Sequence, residues 1–338
     1  MKKVDFVKNM FSHSLNSVTL FVTSRCNSKC KGCFYMNNLN EARDISVEEY
    51  EKMFKEFPEL KAVLFSGGEP FLRNDLLDII GMLVEVNKVQ TIGIPTNGFL
   101  TDRIVSDVHK ILEQYPWLSL GVYVSLDGLE ETHDNIRGVK GSFSNAVKTI
   151  KELRKLGDFN LTVNTTIMKE NYHELKDLFE FVKGLGVSNH TFDILRVVHN
   201  SMKVNLPSLE DLKEANKLRV EAKKHYANRK LSRIHSTLRE SYLGALQLKI
   251  IDGSKWDFKC VAGENKPVIY ANGDFALCEL LPSLGNLKEK SFKELWRGGE
   301  AMRQREQIKC HACDCTHICY LSASLDRSFI TNLKLPLK

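Results

Sequence analysis

Three cysteines lie close together near the start of the chain, in the segment TSRCNSKCKGCFYM (residues 23–36). Cys26, Cys30 and Cys33 follow an apolar, β-branched run, VTLFV, which predicts a strand. A structural zinc site usually takes four ligands, and a thioredoxin-like pair of Cys30 and Cys33 would leave Cys26 without a role. Three thiolates suit a cubane iron-sulfur cluster that keeps one iron open to another ligand.

The elements that must position this segment alternate between two patterns from about residue 17 to 200. Short β-branched runs predict strands over 17–23, 61–67, 90–96, 120–127, 161–167 and 190–197. Amphipathic stretches predict helices near 46–57, 74–87, 101–114, 143–156 and 171–184. Alternation of this kind predicts a parallel sheet with right-handed crossovers. The strands end in small or polar residues, and we expect these ends to meet at one edge, where α/β folds build their sites.

The composition limits the class of protein. With 338 residues, 43% of them hydrophobic, the chain can bury a sizeable core. A formal net charge of +6 is far below that of a dedicated nucleic-acid binder. No apolar run is long enough for a membrane span and no export signal is visible, so we expect a cytoplasmic protein. Nine cysteines in such a chain favour metal or redox chemistry over disulfides.

The cysteine segment resembles the signature of the radical S-adenosylmethionine (SAM) superfamily, CxxxCxxC in the loop after the first strand. In that family the cysteines hold a 4Fe-4S cluster whose open iron binds the methionine part of SAM. An electron from the cluster then releases a 5'-deoxyadenosyl radical. The resemblance implies this role for Cys26, Cys30 and Cys33, with Phe34 and Tyr35 beside SAM. The sequence departs from the family pattern before the third cysteine, where glycine replaces a common aromatic residue.

The resemblance extends to the ends of the next strands. SGGEP looks like the family's GGEP element, whose backbone binds the methionine amino group, although an ordinary turn is the alternative. PTNG and VSLDG are similar to the two strand ends that follow, and a hydroxyl and a carboxylate there suit ribose hydroxyls. The implied SAM contacts in these segments are Gly67, Gly68, Glu69, Pro70, Thr96, Asn97, Ser125 and Asp127.

Two further polar side chains are implied to contact SAM. The segment HDNIRG followed by GSF (residues 133–143) resembles an element of the subgroup with extra clusters. Its Arg137 is implied to bind the SAM carboxylate as a bidentate donor, and an ion pair with Asp134 is the alternative. Asn164, on the fifth predicted strand, is a second implied contact, and capping of the strand end explains it nearly as well.

The C-terminal cysteines resemble the SPASM or twitch extension that holds auxiliary clusters. Two complete four-cysteine sites would need more thiolates than the six present, so we expect one auxiliary cluster, of the 4Fe-4S type. Cys260 and Cys278 would supply two ligands. The other two would come from a group that could alternatively form a zinc knuckle: Cys310, Cys313, Cys315 and Cys319. A second, incompletely ligated cluster is a further alternative, and His311 and His317 would be solvated or lie behind the ligands.

The surroundings of these cysteines predict a small cap. VIYANGDFALCELL (residues 268–281) predicts a two-stranded hairpin with its turn at Asn272 and Gly273, followed by a turn and a helix in LGNLKEKSFKELW. By resemblance to the subgroup, this domain would cover the mouth of the barrel and exclude water from a reactive radical.

These observations predict an α/β fold: a partial, TIM-like (β/α)6 barrel with a small, cysteine-rich C-terminal α+β domain. The predicted divisions are a lead segment (1–16), the radical SAM core (17–200), a basic helical connector (201–255), the auxiliary-cluster domain (256–320) and a tail (321–338). Glu279, Tyr270 and Arg196 either line the pocket or have structural roles.

The predicted function is hydrogen abstraction from a small-molecule, sugar-like or carrier-linked substrate, for oxidation or rearrangement. Only about 16 residues precede the first strand, which disfavours a leader-peptide domain. Maturation of a ribosomal peptide by side-chain crosslinking is the alternative enzymatic function. A zinc-binding adaptor without catalytic activity is the alternative from a different functional class. We expect a flavodoxin or ferredoxin as electron donor, no nucleic-acid partner and a monomer.

Overall fold

The computed structural model describes residues 15–41, 43–196, 205–227, 230–254, 260–310 and 315–327. Within these ranges, side chains are described except at 230–233, 326 and 327. The predictions for His311 and Cys313 therefore lie outside the described residues.

Six parallel strands form the predicted partial barrel, and each strand pairs with the next strand in the sequence. The sheet does not close, so the predicted α/β fold is confirmed as a partial barrel. Its strands are β1 (Ser17–Thr23), β2 (Ala62–Gly67), β3 (Thr91–Thr96), β4 (Ser119–Ser125), β5 (Asn160–Ile167) and β6 (Asn189–Ile194).

Helices connect these strands. The first is fixed by a capping box, in which the Glu49 amide donates to the Ser46 hydroxyl at 3.2 Å and the Ser46 amide donates to the Glu49 carboxylate at 2.8 Å. The connecting helices are α1 (Val47–Phe54), α2 (Leu76–Asn87), α3 (Thr101–Gln114), α4 (Glu130–Arg137), α5 (Ser142–Arg154) and α6 (Leu175–Lys183). Helix α4 is additional to the predicted helices, and it contains most of the HDNIRG segment.

The main hydrophobic core lies between the sheet and these helices. Along β1, alternate residues Val18, Leu20 and Val22 belong to this core. A strand turns successive side chains to opposite faces. The other face therefore carries residues such as Ser66 and Thr166, which line the cavity described below.

The C-terminal part continues the same sheet. The predicted hairpin is confirmed as β7 (Val268–Ile269) and β8 (Asp274–Ala276), and a further strand, β9 (Gly285–Asn286), pairs with β8. Strand β7 pairs in parallel with β1, which gives the order β6-β5-β4-β3-β2-β1-β7-β8-β9. The hairpin thus extends the barrel sheet at its β1 edge.

Five more helices complete the described chain. The basic connector forms two helices that pack together, α7 (Leu209–Tyr226) and α8 (Lys230–Ile251). They are followed by α9 (Phe292–Arg297), α10 (Gly299–Lys309) and α11 (Ile318–Arg327). Helix α9 packs on the main core, with the rings of Phe292 and Phe57 4.0 Å apart. In the described part of the chain, no helix combines the length and apolar character needed to cross a membrane.

Candidate active site

A cavity of about 240 Å³ lies at the carboxyl ends of β1 to β5, and we call it the strand-end cavity. Its lining includes most of the residues predicted to bind the cluster or SAM: Cys26, Cys30, Cys33, Phe34, Gly67, Gly68, Glu69, Thr96, Asn97, Ser125, Asp127 and Arg137. A larger open groove of about 1050 Å³, between α4 and α5, contains no cysteine, so the chemistry points to the smaller cavity.

Three predicted contacts lie outside this lining. Tyr35 is buried, with its ring 4.8 Å from that of Phe21. Pro70 is buried at the start of a short 3-10 turn. The side-chain oxygen of Asn164 accepts a hydrogen bond of 2.5 Å from the Thr191 hydroxyl. Asn164 is thus engaged with the neighbouring strand.

The cysteine loop (residues 24–35) rests on the end of α4. The amides of Lys29 and Lys31 donate to the carbonyls of Arg137 and Ile136 at 3.0 and 2.9 Å. Gly138 ends the helix with φ +67°, and a Cβ at this position would lie 2.7 Å from the Lys29 carbonyl oxygen. The HDNIRG segment therefore supports the cysteine loop through its backbone.

The three cysteines of the loop line the cavity and are half-buried. Burial raises the pKa of Cys26 to about 11 and also raises the pKa of Cys33. A guanidinium nitrogen of Arg137 donates to the Cys30 sulfur at 3.6 Å. Three soft sulfur donors that line one cavity fit an iron-sulfur cluster, and its binding would release the thiol protons.

Gly67 and Gly68 allow the strand end to pass very close to the entry of the cysteine loop. A Cβ on Gly67 would lie 2.3 Å from the Thr23 carbonyl oxygen, and one on Gly68 would lie 2.0 Å from that of Arg25. Amides of the same segment donate to these two oxygens at 2.8 Å. Contact with the chain's own backbone is therefore sufficient reason for glycine here, in addition to the predicted approach of a ligand.

Glu69 is a buried carboxylate that joins two strand ends. It accepts hydrogen bonds from the Thr96 hydroxyl at 2.8 Å, the Asn97 amide at 2.7 Å and the Phe71 amide at 3.3 Å. Burial raises the pKa of Glu69 to about 7, although these hydrogen bonds favour the ionised form. The Asn97 side chain in turn donates to the Ser28 hydroxyl at 3.1 Å, which links the carboxylate to the cysteine loop.

Arg137 forms a buried ion pair with Asp127, with 2.5 Å between nitrogen and oxygen. The other carboxylate oxygen of Asp127 accepts from the Thr166 amide at 2.8 Å. Asp134 instead accepts from the amides of Gly141 and Phe143 before and within the first turn of α5. The alternative pairing of Arg137 with Asp134 is therefore wrong.

The charge on Arg137 is maintained by its neighbours. Burial opposes the charge, but Asp127 and Cys30 together raise the pKa of the guanidinium above its usual value. Its Nε atom is buried and has no hydrogen-bond partner among the described residues. A buried, unpaired donor on a cationic side chain at the cavity fits an anionic group of a ligand, such as a carboxylate.

Several lining residues were not predicted: Ser28, Gly32, Leu39, Ser66, Pro95, Ile136, Thr166 and Met168. Thr166 could have been found, because it lies two positions after Asn164 and therefore on the same face of β5. Leu39, Ile136 and Met168 carry no local signal, because only the folding of their segments brings them to the cavity.

The C-terminal cysteines fall into different environments. Cys260, Cys278 and Cys315 are buried in one hydrophobic cluster with residues of α8 and α11. Cys319 is half-buried and Cys310 is exposed. In the described ranges, no three His, Cys, Asp or Glu side chains are grouped closely enough to hold a single metal ion.

The residues around these cysteines form a buried polar group. His317 lies with its Nε2 3.3 Å from the Glu279 carboxylate, so the solvated alternative for His317 is wrong. Glu279 also pairs with Arg196. Burial opposes its ionisation, but Arg196 and His317 lower the pKa of Glu279 to about 2. The Tyr270 ring lies 4.9 Å from Phe21. Arg196, Glu279 and Tyr270 are absent from the cavity lining.

Comparison with known families matches each of the two cysteine-containing regions to a family model. The radical SAM superfamily matches residues 20–182, and the SPASM iron-sulfur cluster-binding domain matches residues 260–316. The chain belongs to the radical SAM superfamily. As a radical SAM enzyme of the SPASM subgroup, it uses a 4Fe-4S cluster with SAM and has a domain that binds auxiliary iron-sulfur clusters.

Relatives of this radical SAM enzyme have different activities. It is 27% identical over 321 residues to the AdoMet-dependent heme synthase of Methanosarcina barkeri, covering 88% of each chain. It is 26% identical over 288 residues to the Bacillus subtilis subtilosin biosynthesis protein AlbA, covering 82% of this chain and 58% of AlbA. The structure of Streptococcus suis SuiB bound to the precursor peptide SuiA has the same fold, with a TM-score of 0.64, 17% identity and coverage of 98% and 75%.

Proposed function

We propose that the enzyme reductively cleaves SAM at the strand-end cavity and abstracts a hydrogen atom from a small-molecule or carrier-linked substrate. One observation carries the proposal: residues from four strand ends, predicted separately, line a single cavity that contains all three cysteines of the loop. When bound, the cluster supplies one electron, which splits SAM into methionine and a 5'-deoxyadenosyl radical.

The protein's own side chains bind the cluster and SAM and orient each other. Cys26, Cys30 and Cys33 hold the cluster, and we assign the unpaired Nε of Arg137 to the SAM carboxylate. Both carboxylate oxygens of Asp127 already have partners in the chain. We therefore propose that Asp127 orients Arg137. The Ser125 hydroxyl, which also lines the cavity, then binds the ribose.

The other predicted contacts support this arrangement. Glu69 ties the GGEP segment to Asn97 through its hydrogen bonds, so the backbone of Gly67 and Gly68 stays at the cavity wall. Rigid placement of this kind aligns reacting atoms and avoids solvent reorganisation during the reaction.

The decisive test is cleavage of SAM by anaerobically reconstituted protein with dithionite. We expect formation of 5'-deoxyadenosine and methionine, and loss of both products in Cys30→Ala. Cys310→Ala is the matched control, because this exposed cysteine lies outside the strand-end cavity. Full cleavage by Cys30→Ala would exclude the proposed site.

The substrate class is proposed from sequence relatives. The match along 88% of both chains is to an enzyme named for heme synthesis, which supports a small-molecule substrate. Maturation of a ribosomal peptide is the second candidate, and the match to a subtilosin biosynthesis protein favours it.

The two substrate candidates differ in their response to peptidase. The readout is the rate of 5'-deoxyadenosine formation after addition of an anaerobic cell extract. For a small-molecule substrate, we expect stimulation by the extract to survive peptidase digestion and ultrafiltration. Loss of stimulation after digestion would exclude a free small molecule and favour a substrate that is a peptide or is linked to a protein carrier.

We further propose a monomeric, cytoplasmic enzyme that receives its electron from a flavodoxin or ferredoxin. Such carriers should replace dithionite in the cleavage assay. Dependence on dithionite alone, with both carriers inactive, would contradict this part of the proposal.

A further inference from the structure

An ion pair joins the end of the barrel to the cysteine-rich C-terminal region. Arg196 lies two residues after β6, and its guanidinium contacts the carboxylate of Glu279. Glu279 directly follows Cys278, and its carboxylate also lies 3.3 Å from His317. The exposed fractions of the Arg196 and Glu279 side chains are 21% and 7%. Three segments that are distant in the sequence therefore meet at one carboxylate.

The same arginine contacts the wall of the strand-end cavity. Its guanidinium carbon lies 4.1 Å from the centre of the Phe34 ring. Phe34 follows Cys33 directly and lines the cavity. A guanidinium over an aromatic face is attractive, and the attraction grows when water is removed. Arg196 thus lies between a carboxylate of the C-terminal region and an aromatic ring of the cysteine loop.

We propose that the Arg196–Glu279 pair is a positioning device, through which the docked C-terminal region holds the Phe34 ring in place on the wall of the SAM site. Glu279 fixes the guanidinium, and the guanidinium fixes the ring. SAM affinity then depends on a residue that lies outside the cavity. This inference rests on the proposed function, because it takes SAM as the ligand of the cavity.

A purely structural role would not require an ion pair at this position. A buried ion pair costs desolvation, and apolar residues of similar volume often pack as stably. The need to fill this buried position therefore does not explain why it holds an arginine and not an apolar residue. The stacking on Phe34 gives the charge a specific contact at the ligand wall.

The test is the dissociation constant of SAM for the anaerobically reconstituted protein, measured by equilibrium dialysis with radiolabelled SAM. Arg196→Met keeps the bulk of the side chain and removes its charge, and Glu279→Gln removes the partner charge. We expect each to raise the dissociation constant about 3- to 10-fold, the range of a lost cation–π contact. The double variant should bind no more weakly than the weaker single variant, because both act through one contact.

Two further variants separate positioning from general stability. Arg196→Lys keeps a cation that can pair with Glu279, and we expect it to recover part of the SAM affinity. Glu240→Gln is the matched control, since Glu240 forms a comparable ion pair with the buried Arg219, 2.5 Å apart, and neither residue lines the cavity. We expect Glu240→Gln to lower the unfolding midpoint and leave the SAM dissociation constant unchanged.

The outcomes distinguish this inference from the proposed function. Wild-type affinity for SAM in both Arg196→Met and Glu279→Gln, at full iron content, would overturn the inference alone. An equal loss of affinity in Glu240→Gln would also overturn it, because the effect would then reflect stability. A wild-type protein that binds no SAM would instead contradict the proposed function. If Arg196→Met fails to fold, Glu279→Gln and Arg196→Lys decide the question.

Discussion

Arg137 contributes to the site in three ways. Its side chain pairs with Asp127, its guanidinium donates to the Cys30 sulfur, and its backbone carbonyl accepts from Lys29 of the cysteine loop. The place of this residue in HDNIRG and its implied contact with SAM follow from the resemblance of that segment to the family element. Its partner does not, because Asp127 and Asp134 are both near in sequence and only the packing of α4 and α5 selects between them.

Removal of the Arg137 charge should destabilise the fold as well as the site. Arg137→Met leaves the buried Asp127 carboxylate without its ionic partner, and we expect the free energy of unfolding to fall by about 3 kcal/mol. Arg25→Met is the control, since Arg25 is half-exposed in its pair with Asp44 and should contribute less than about 1 kcal/mol. Urea unfolding followed by circular dichroism measures both. Equal losses in the two variants would contradict the importance of the buried pair.

The raised pKa of Glu69 predicts a dependence of stability on pH. Burial raises this pKa from 4.5 to about 7, so at intermediate pH the folded protein holds a proton that the unfolded chain releases. The stabilisation is complete below pH 4.5 and is lost as the pH rises through about 7. Glu69→Gln does not titrate. We expect the difference in unfolding free energy, wild type minus variant, to fall by up to about 3 kcal/mol over this range. A constant difference would show that the hydrogen bonds keep Glu69 ionised.

At the scale of elements, two strand ends and one helix end support the cysteine loop. The glycine pair at the end of β2 contacts the chain that enters the loop, and Gly138 at the end of α4 contacts Lys29. The sequence predicts the strands well, because alternation and polar strand ends are local signals. The predicted elements do not include helix α4, because the HDNIRG segment is interpreted only as a binding motif.

A side chain at Gly68 should disturb the loop. The Cβ of Gly68→Ala would lie 2.0 Å from the Arg25 carbonyl oxygen, and neither backbone can move freely there. We expect a loss of about 1 to 3 kcal/mol in unfolding free energy, together with reduced iron uptake. Gly299→Ala is the control, because a Cβ there meets nothing within 4 Å. Iron analysis and urea unfolding give the two readouts. Normal iron uptake by Gly68→Ala would contradict the tight contact.

At the scale of the whole molecule, one sheet continues from the barrel into the cysteine-rich C-terminal region. Strand β7 pairs with β1, and β1 leads directly into the cysteine loop, so the C-terminal region is joined to the strand that precedes this loop. The sequence predicts the hairpin, since Asn272 and Gly273 are a local turn signal. It does not predict the pairing with β1, because a parallel contact between segments so far apart along the chain has no local pattern.

The number of iron atoms tests the proposed content of the two regions. One catalytic and one auxiliary 4Fe-4S cluster predict about 8 iron atoms per chain. Cys278→Ala should lower this to about 4 and leave SAM cleavage without substrate intact, because Cys278 is buried away from the strand-end cavity. About 12 iron atoms would indicate a second auxiliary cluster, and zinc with about 4 iron atoms would indicate the zinc knuckle.

The most direct test of the central claim is the electron paramagnetic resonance spectrum of the reduced Cys278→Ala protein, before and after addition of SAM labelled with ¹⁵N at its amino group. The claim is that the strand-end cavity holds a cluster with one iron open to SAM. We predict that SAM shifts the spectrum and that double resonance detects coupling of the cluster to the labelled nitrogen. A cluster signal that SAM leaves unchanged, with no nitrogen coupling, would contradict the account.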